Sequence, residues 1–244
     1  MGEKRKLIVA IDGPVGSGKT TVSREVARRL GYLYLSTGAL YRAVAFKAVV
    51  QKIDPNNETA LEKLIKETKI KVISAEKGNR TLVDGKDITE KLSDPNISMI
   101  ASSISSLPGV RKGLLDLQRS LGKNGGIVME GRDIGTVVFP DADVKIFLSA
   151  SVERRARRRF DELKGYGKEI SLEVTIEDLI RRDKQDSTRS VAPLKVAEGA
   201  FQVDSTNLNF QQVVDKIVEI VQISQGSAGK KYRVGERQVR GGKK

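Results

Sequence analysis

Two short stretches of this 244-residue chain hold residue types that can do chemistry at a spacing that suits it. In IVAIDGPVGSGKTT, residues 8–21, the residues Gly13, Gly16, Gly18, Lys19 and Thr20 satisfy G-x-x-x-x-G-K-[ST]. A glycine-rich turn after a strand lets consecutive amides face inward, and the helix behind it adds a positive N-terminus. Gly13, Pro14, Val15, Gly16, Ser17, Gly18, Lys19, Thr20 and Thr21 therefore read as a cradle for nucleotide phosphates. Lys19 would reach between the β- and γ-phosphates, and the Thr20 hydroxyl would go to Mg²⁺. The motif names a donor, not a reaction, since GTPases, motor ATPases and small-molecule kinases share it. The chain is short for a motor and has no N-K-x-D segment to read guanine, which leaves a kinase in front.

The second stretch is EGRDIGT, residues 130–136, which follows the apolar run GIVM. Arg132 and Asp133 stand side by side there, with Gly131 before them and Gly135 close behind. A guanidinium fork makes bidentate contacts with phosphate oxygens, so Arg132 suits an acceptor that is itself a phosphate ester. Arg42 and Arg111 lie on expected helices, and Arg182 and Arg189 bracket Asp186 in RRDKQDSTR. A further run, SVERRARRRFDELKG, pairs Arg154 with Arg158 and Arg155 with Arg159 at helical spacing. One pair can reach over a triphosphate to stabilise the moving phosphoryl group while the other is solvated. A plain solvated charged helix is the competing reading.

These residues need elements to position them. KLIVAID, 6–12, reads as an apolar strand and KTTVSREVARRL, 19–30, as a helix with Val22, Val26 and Leu30 near one face. YLYLS, 32–36, is a second strand and GALYRAVAFKAVV, 38–50, a mostly apolar helix, giving the βαβα rhythm of a parallel sheet. Residues 55–105 break that rhythm with a helix over 59–68, a hairpin turning at Lys77-Gly78-Asn79, and a helix after Pro95. The rhythm resumes with a helix from Pro108 to near Gly125 and strands at 126–131, 143–150 and 201–206. Two charged helices lie between the last two strands, and an amphipathic helix from Asn209 closes the pattern. In a parallel sheet the C-terminal strand ends share one rim, which puts Ser36, Arg132 and Asp133 beside the glycine-rich loop.

Composition narrows the chemistry. With no Cys and no His, thiolate or imidazole metal sites and imidazole bases are excluded, leaving Lys, Arg, carboxylates, hydroxyls, amides and a hard metal. The net charge of +13 invites a nucleic-acid reading, but about half of it sits after Ser224, where seven basic residues face Glu236 alone. Residues 226–244 are expected to be an unstructured basic tail, the one place where nucleic acid could be held. A non-enzymatic RNA-binding protein is the rival class, and it predicts steeply salt-dependent binding that ignores Lys19. The N-terminal apolar run is too short for a signal peptide or a membrane span, so a cytoplasmic protein is expected.

IDGPVGSGKTT, YLSTGALYRA, VDGKDIT, PGVRKGLL, EGRDIGTVVFPDADVKIFL, RRDKQDSTRSVAPL and VDSTNLN together resemble the bacterial cytidylate kinases, among the nucleoside monophosphate kinases. GSGKTT is generic, whereas GRDIGTVVFPDA and DSTRSVAPL in order are specific, and the likeness runs from residue 8 to about 208. The resemblance implies an α/β P-loop fold of three layers with a five-stranded parallel sheet. Its core would be residues 1–54 and 106–225, with a monophosphate-binding insertion at 55–105 and a lid around 154–168. It implies transfer of the γ-phosphoryl group of ATP, with Mg²⁺, to CMP or dCMP by a monomer. Arg42 and Arg132 would hold the acceptor 5′-phosphate, and Ser36, Arg111, Asp133 and Arg189 would surround cytosine. Asp186 and Arg182 would contact the ribose, and Lys19, Arg132, Arg154 and Arg158 would carry the catalysis. Cytosine offers an amine donor beside N3 and O2 acceptors, which matches a mixed set of carboxylate and arginine. Two departures stand out: many relatives have glycine before the second threonine of the loop, where this chain has Thr20-Thr21, and many have aspartate at Glu130.

Overall fold

A computed structural model describes residues 5–73, 79–165, 167 and 169–226. Five parallel strands form the central sheet: β1 (Ile8–Asp12), β2 (Leu33–Ser36), β6 (Ile127–Gly131), β7 (Val144–Ser149) and β8 (Phe201–Asp204). Their spatial order is β2-β6-β1-β7-β8, the five-stranded parallel sheet that the resemblance implies. Strand β1 lies at the centre with Asp12 in register with Gly131 on one side and Phe147 on the other. Chain crossovers leave β1 toward β2 and later leave β6 toward β7, so the connections diverge around β1. That divergence opens a crevice at the carboxyl ends of the strands.

Both faces of the sheet are covered, which is why β1 reads as a continuous apolar run rather than an alternating one. Val9 and Ile11 enter one apolar cluster with α1 (Lys19–Leu30) and α8 (Phe210–Gly226) through Val22, Val26, Val214 and Ile217. Ala10 enters the other cluster, with Leu35, Met129 and α2 (Thr37–Val50). Helix α2 buries Leu40, Tyr41, Ala43, Val44, Ala45 and Ala48, which lie around most of its circumference. An apolar belt of that width needs partners on several sides.

The residues between α2 and β6 supply those partners. They form α3 (Glu58–Glu67), a small antiparallel sheet of β3 (Ile70–Ile73), β4 (Arg80–Val83) and β5 (Lys86–Asp87), a 3₁₀ turn at Thr89–Ser93, α4 (Pro95–Ile104) and α5 (Pro108–Gly122). Leu61, Ile70, Val83, Leu92, Ile97 and Ile104 join the same apolar cluster as α2. Local chemistry sets the helix starts: Asn57 and Asp94 accept from backbone amides of the first turn, and Pro95 and Pro108 open their helices. Helix α5 stops at Gly122, three residues short of the expected end, and Gly125 and Gly126 then take positive φ to enter β6.

After β6 the chain makes one wide turn, Ile134–Val138, which the sequence reading did not anticipate. Helices α6 (Val152–Gly165) and α7 (Leu172–Thr188) then pack on each other before β8. The expected hairpin reversal at Lys77-Gly78 and all of the basic tail beyond Gly226 lie outside the described residues. Among the described residues no helix is long and apolar enough to cross a membrane.

Candidate active site

The glycine-rich loop sits where β1 meets α1. A Cβ on Gly13 would collide with the carbonyl oxygen of Leu148, so only glycine lets the chain leave β1 against β7. Gly16 and Gly18 take positive φ, and Gly18 caps α1 without a side chain. The loop is tied internally: Ser17 Oγ donates to the Pro14 carbonyl at 3.0 Å, and Lys19 Nζ donates to the same oxygen at 2.6 Å. Burial, then the neighbouring Arg132 cation, lowers the Lys19 ammonium to about 7, while Glu130, Asp12 and Asp186 oppose the shift. A buried cation beside a second cation favours an anion as ligand.

Thr20 Oγ1 donates to Glu130 Oε1 at 3.0 Å, and the Tyr34 hydroxyl donates to that same oxygen at 3.2 Å. Glu130 is buried at the end of β6, so its carboxylate is brought to the loop by strand register rather than by sequence proximity. A hydroxyl and a carboxylate are hard oxygen donors, the ligand type that Mg²⁺ takes when substrate phosphates complete its shell.

The acceptor residues converge on the same rim. Arg132 Nε donates to Asp186 Oδ2 at 2.8 Å across from α7. Asp133 is buried and accepts from Arg111 Nη2, and Arg189 Nη2 lies 3.8 Å from its other oxygen. Arg189 Nη1 is also 3.7 Å from Asp186, so one chain of charges runs from Arg111 through Asp133 and Arg189 to Asp186 and Arg132. The Tyr41 ring backs Arg111, with the guanidinium carbon 5.7 Å from its centroid. Arg42, from α2, has a buried Nε without a hydrogen-bond partner, and burial lowers its proton affinity. Glu130 pulls Arg42 the other way, and Arg132 adds to the lowering. Ser36 ends β2 as the N-cap of α2, with its hydroxyl near Gly38.

Two expected residues stand apart. Arg182 pairs with Asp178 on its own helix at 3.2 Å rather than with the Arg132 group. Arg154 is exposed and lines an open cleft with Ser151, Arg157, Thr206, Asn207 and Gln212. The arginines of α6 that touch the loop are Arg155 and Arg158, three residues apart. Arg155 is buried, donating to the Val15 carbonyl at 3.0 Å and pairing with Asp183 at 2.6 Å. Arg158 donates to Ser17 O at 3.3 Å and to Ser205 O at 3.1 Å, which joins the loop to the rim of the open cleft.

Sequence reasoning passed over Asp12 as a functional residue. It is 3% exposed and accepts from the amides of Ile134 and Gly135, both at 2.8 Å. The signal was available, because a carboxylate ends an otherwise apolar central strand and must find donors.

The comparisons with known proteins agree on one family. The family model described as cytidylate kinase matches residues 9–223. A cytidylate kinase of Geobacter sulfurreducens is 49% identical over 218 residues, covering 89% of this chain and 94% of the relative. One of Bacillus velezensis is 47% identical over 89% of this chain and 97% of its own, and one of Bacillus subtilis is 45% identical over 90% and 98%.

Proposed function

The chain belongs to the cytidylate kinase family, and from that premise we propose how its own residues carry the transfer of the γ-phosphoryl group of ATP to CMP or dCMP. The observation that carries the reading is the meeting of Lys19, which opens α1, with Arg132, which follows β6, close enough for the Arg132 cation to disfavour charge on Lys19. Between them is the place where a donor and an acceptor phosphate would lie end to end.

The loop amides and Lys19 hold the donor phosphates, and Arg155 and Arg158 of α6 lie against the loop. The cleft beside Arg154 and Thr206 takes the nucleoside part of ATP, since Arg158 ties its edge to the phosphate loop. Arg42 and Arg132 hold the acceptor phosphate, and its oxygen attacks in line. That oxygen is largely deprotonated near neutral pH, so no strong general base is required. Asp133, Arg111, Arg189 and Ser36 read cytosine, while Asp186 takes a ribose hydroxyl, with Arg182 behind it on α7. Mg²⁺, held through Thr20 with Glu130 adjacent, supplies positive charge against the phosphate oxygens when bound. Catalysis then rests on approximation and charge rather than on proton transfer. Residues 55–105 and the lid around 154–168 would close on the substrates and exclude water. The same family premise implies a monomer acting in the cytoplasm.

The test is ADP formation from ATP and Mg²⁺ with CMP, dCMP, UMP, AMP and cytidine, run for wild type and Lys19→Ala. CMP and dCMP should lead and cytidine should be inert. Lys19→Ala should lose about 2–5 kcal/mol in kcat/KM. Equal use of UMP would overturn the cytosine reading, and a fully active Lys19→Ala would overturn the donor site.

A further inference from the structure

Asp12 is a buried carboxylate to which the mechanism gives no task. It ends β1, one residue before the phosphate loop, and stands in register with Gly131, one residue before Arg132. Each of its oxygens accepts one backbone amide, from Ile134 and Gly135, at 2.8 Å. These amides open the wide turn that directly follows Arg132 and Asp133. Gly135 fits closely: a Cβ there would come within 3.4 Å of the Asp12 carboxylate and 3.2 Å of Ala197.

We propose that Asp12 is a positioning residue that aims the acceptor-binding pair, holding the turn behind Arg132 and Asp133 from the same point of β1 at which the donor loop begins. The donor and acceptor halves of the site are thereby set by adjacent residues of one central strand. A carboxylate suits the task because both oxygens accept, whereas a carboxamide would turn an N–H toward one of the two amides. The charged side chains acting on Asp12 are Asp133, which precedes the turn, and Lys19 from α1. The ionised form is held against its own burial, which raises the carboxyl to about 6.

The inference rests on Arg132 and Asp133 serving the acceptor, so Asp133→Asn is measured beside it. Full-length wild type, Asp12→Asn, Asp12→Ala and Asp133→Asn are compared by kcat and KM for CMP, by calorimetric ATP binding without CMP, and by Tm. For Asp12→Asn, KM for CMP should rise at least tenfold with ATP affinity within threefold, and any fall in Tm should be smaller than that of Asp12→Ala. Asp12→Ala should be worse for CMP than Asp12→Asn, because the carboxamide oxygen still accepts one amide. Equal weakening toward CMP and ATP, or a CMP loss that only follows a lowered Tm, would reduce Asp12 to a structural residue and overturn the proposal. If Asp133→Asn impairs CMP use but neither Asp12 variant does, the proposal fails while the acceptor site stands. If Asp133→Asn leaves CMP use intact, the acceptor reading fails and takes the proposal with it.

Discussion

Single charges decide what this site can hold. Arg132 is shared between Asp186 and the crevice, and Asp133 is shared between Arg111 and Arg189. A phosphate ester entering beside Arg132 would compete with one carboxylate for one guanidinium, which favours an acceptor with two negative charges over an uncharged nucleoside. For Asp133→Asn, the cytosine-side contact should weaken by about 1.5–3 kcal/mol, the range for hydrogen bonds involving charge. KM for CMP should therefore rise roughly 10- to 100-fold with KM for ATP within about twofold. Equal changes in both constants would remove Asp133 from the acceptor site. At this scale the sequence was legible where motif spacing is rigid, as at Lys19 and Thr20. It was not legible for the choice among five arginines of α6, since which of them meets the loop depends on how that helix packs.

Elements convert these residues into a site. The phosphate loop exists because β1 and α1 meet at a turn that a side chain cannot occupy, with Gly13 at φ +153° against the Leu148 carbonyl. Gly13→Ala must push β1 away from β7 and should cost about 2–4 kcal/mol of stability. That corresponds to a fall of roughly 10 °C in Tm by scanning calorimetry for a chain of this size. An unchanged Tm would mean that the loop can relax without moving the sheet. Strand and helix positions were readable from period and caps to within three residues, because burial on both faces and proline or asparagine starts are local signals. The wide turn at Ile134–Val138 was not, since its donors are satisfied by a carboxylate 122 residues earlier.

For the whole molecule, burial of Asp12 makes stability depend on pH. Its folded carboxyl is raised to about 6 from 3.8, so its contribution is fully present below the unfolded value and lost as pH rises through the folded one. Between about pH 4 and pH 7, wild type should lose up to about 3 kcal/mol relative to Asp12→Asn. Urea titrations of the two proteins at pH 4, 5.5 and 7 measure that difference directly. A difference that does not change with pH would show that Asp12 meets its proton equally in both states.

The sequence by itself determined the α/β class, the phosphate loop, the acidic and basic residues available for chemistry, and the family they resemble. Those features depend on neighbours a few residues apart, where spacing is geometry. Only the tertiary structure decided which arginines face the phosphate loop, that Glu130 reaches Thr20, and that Asp12 holds the turn behind Arg132. Those contacts join segments far apart in the chain, brought within hydrogen-bonding distance by parallel strand register and by the packing of α6 on the loop, neither of which a local pattern encodes.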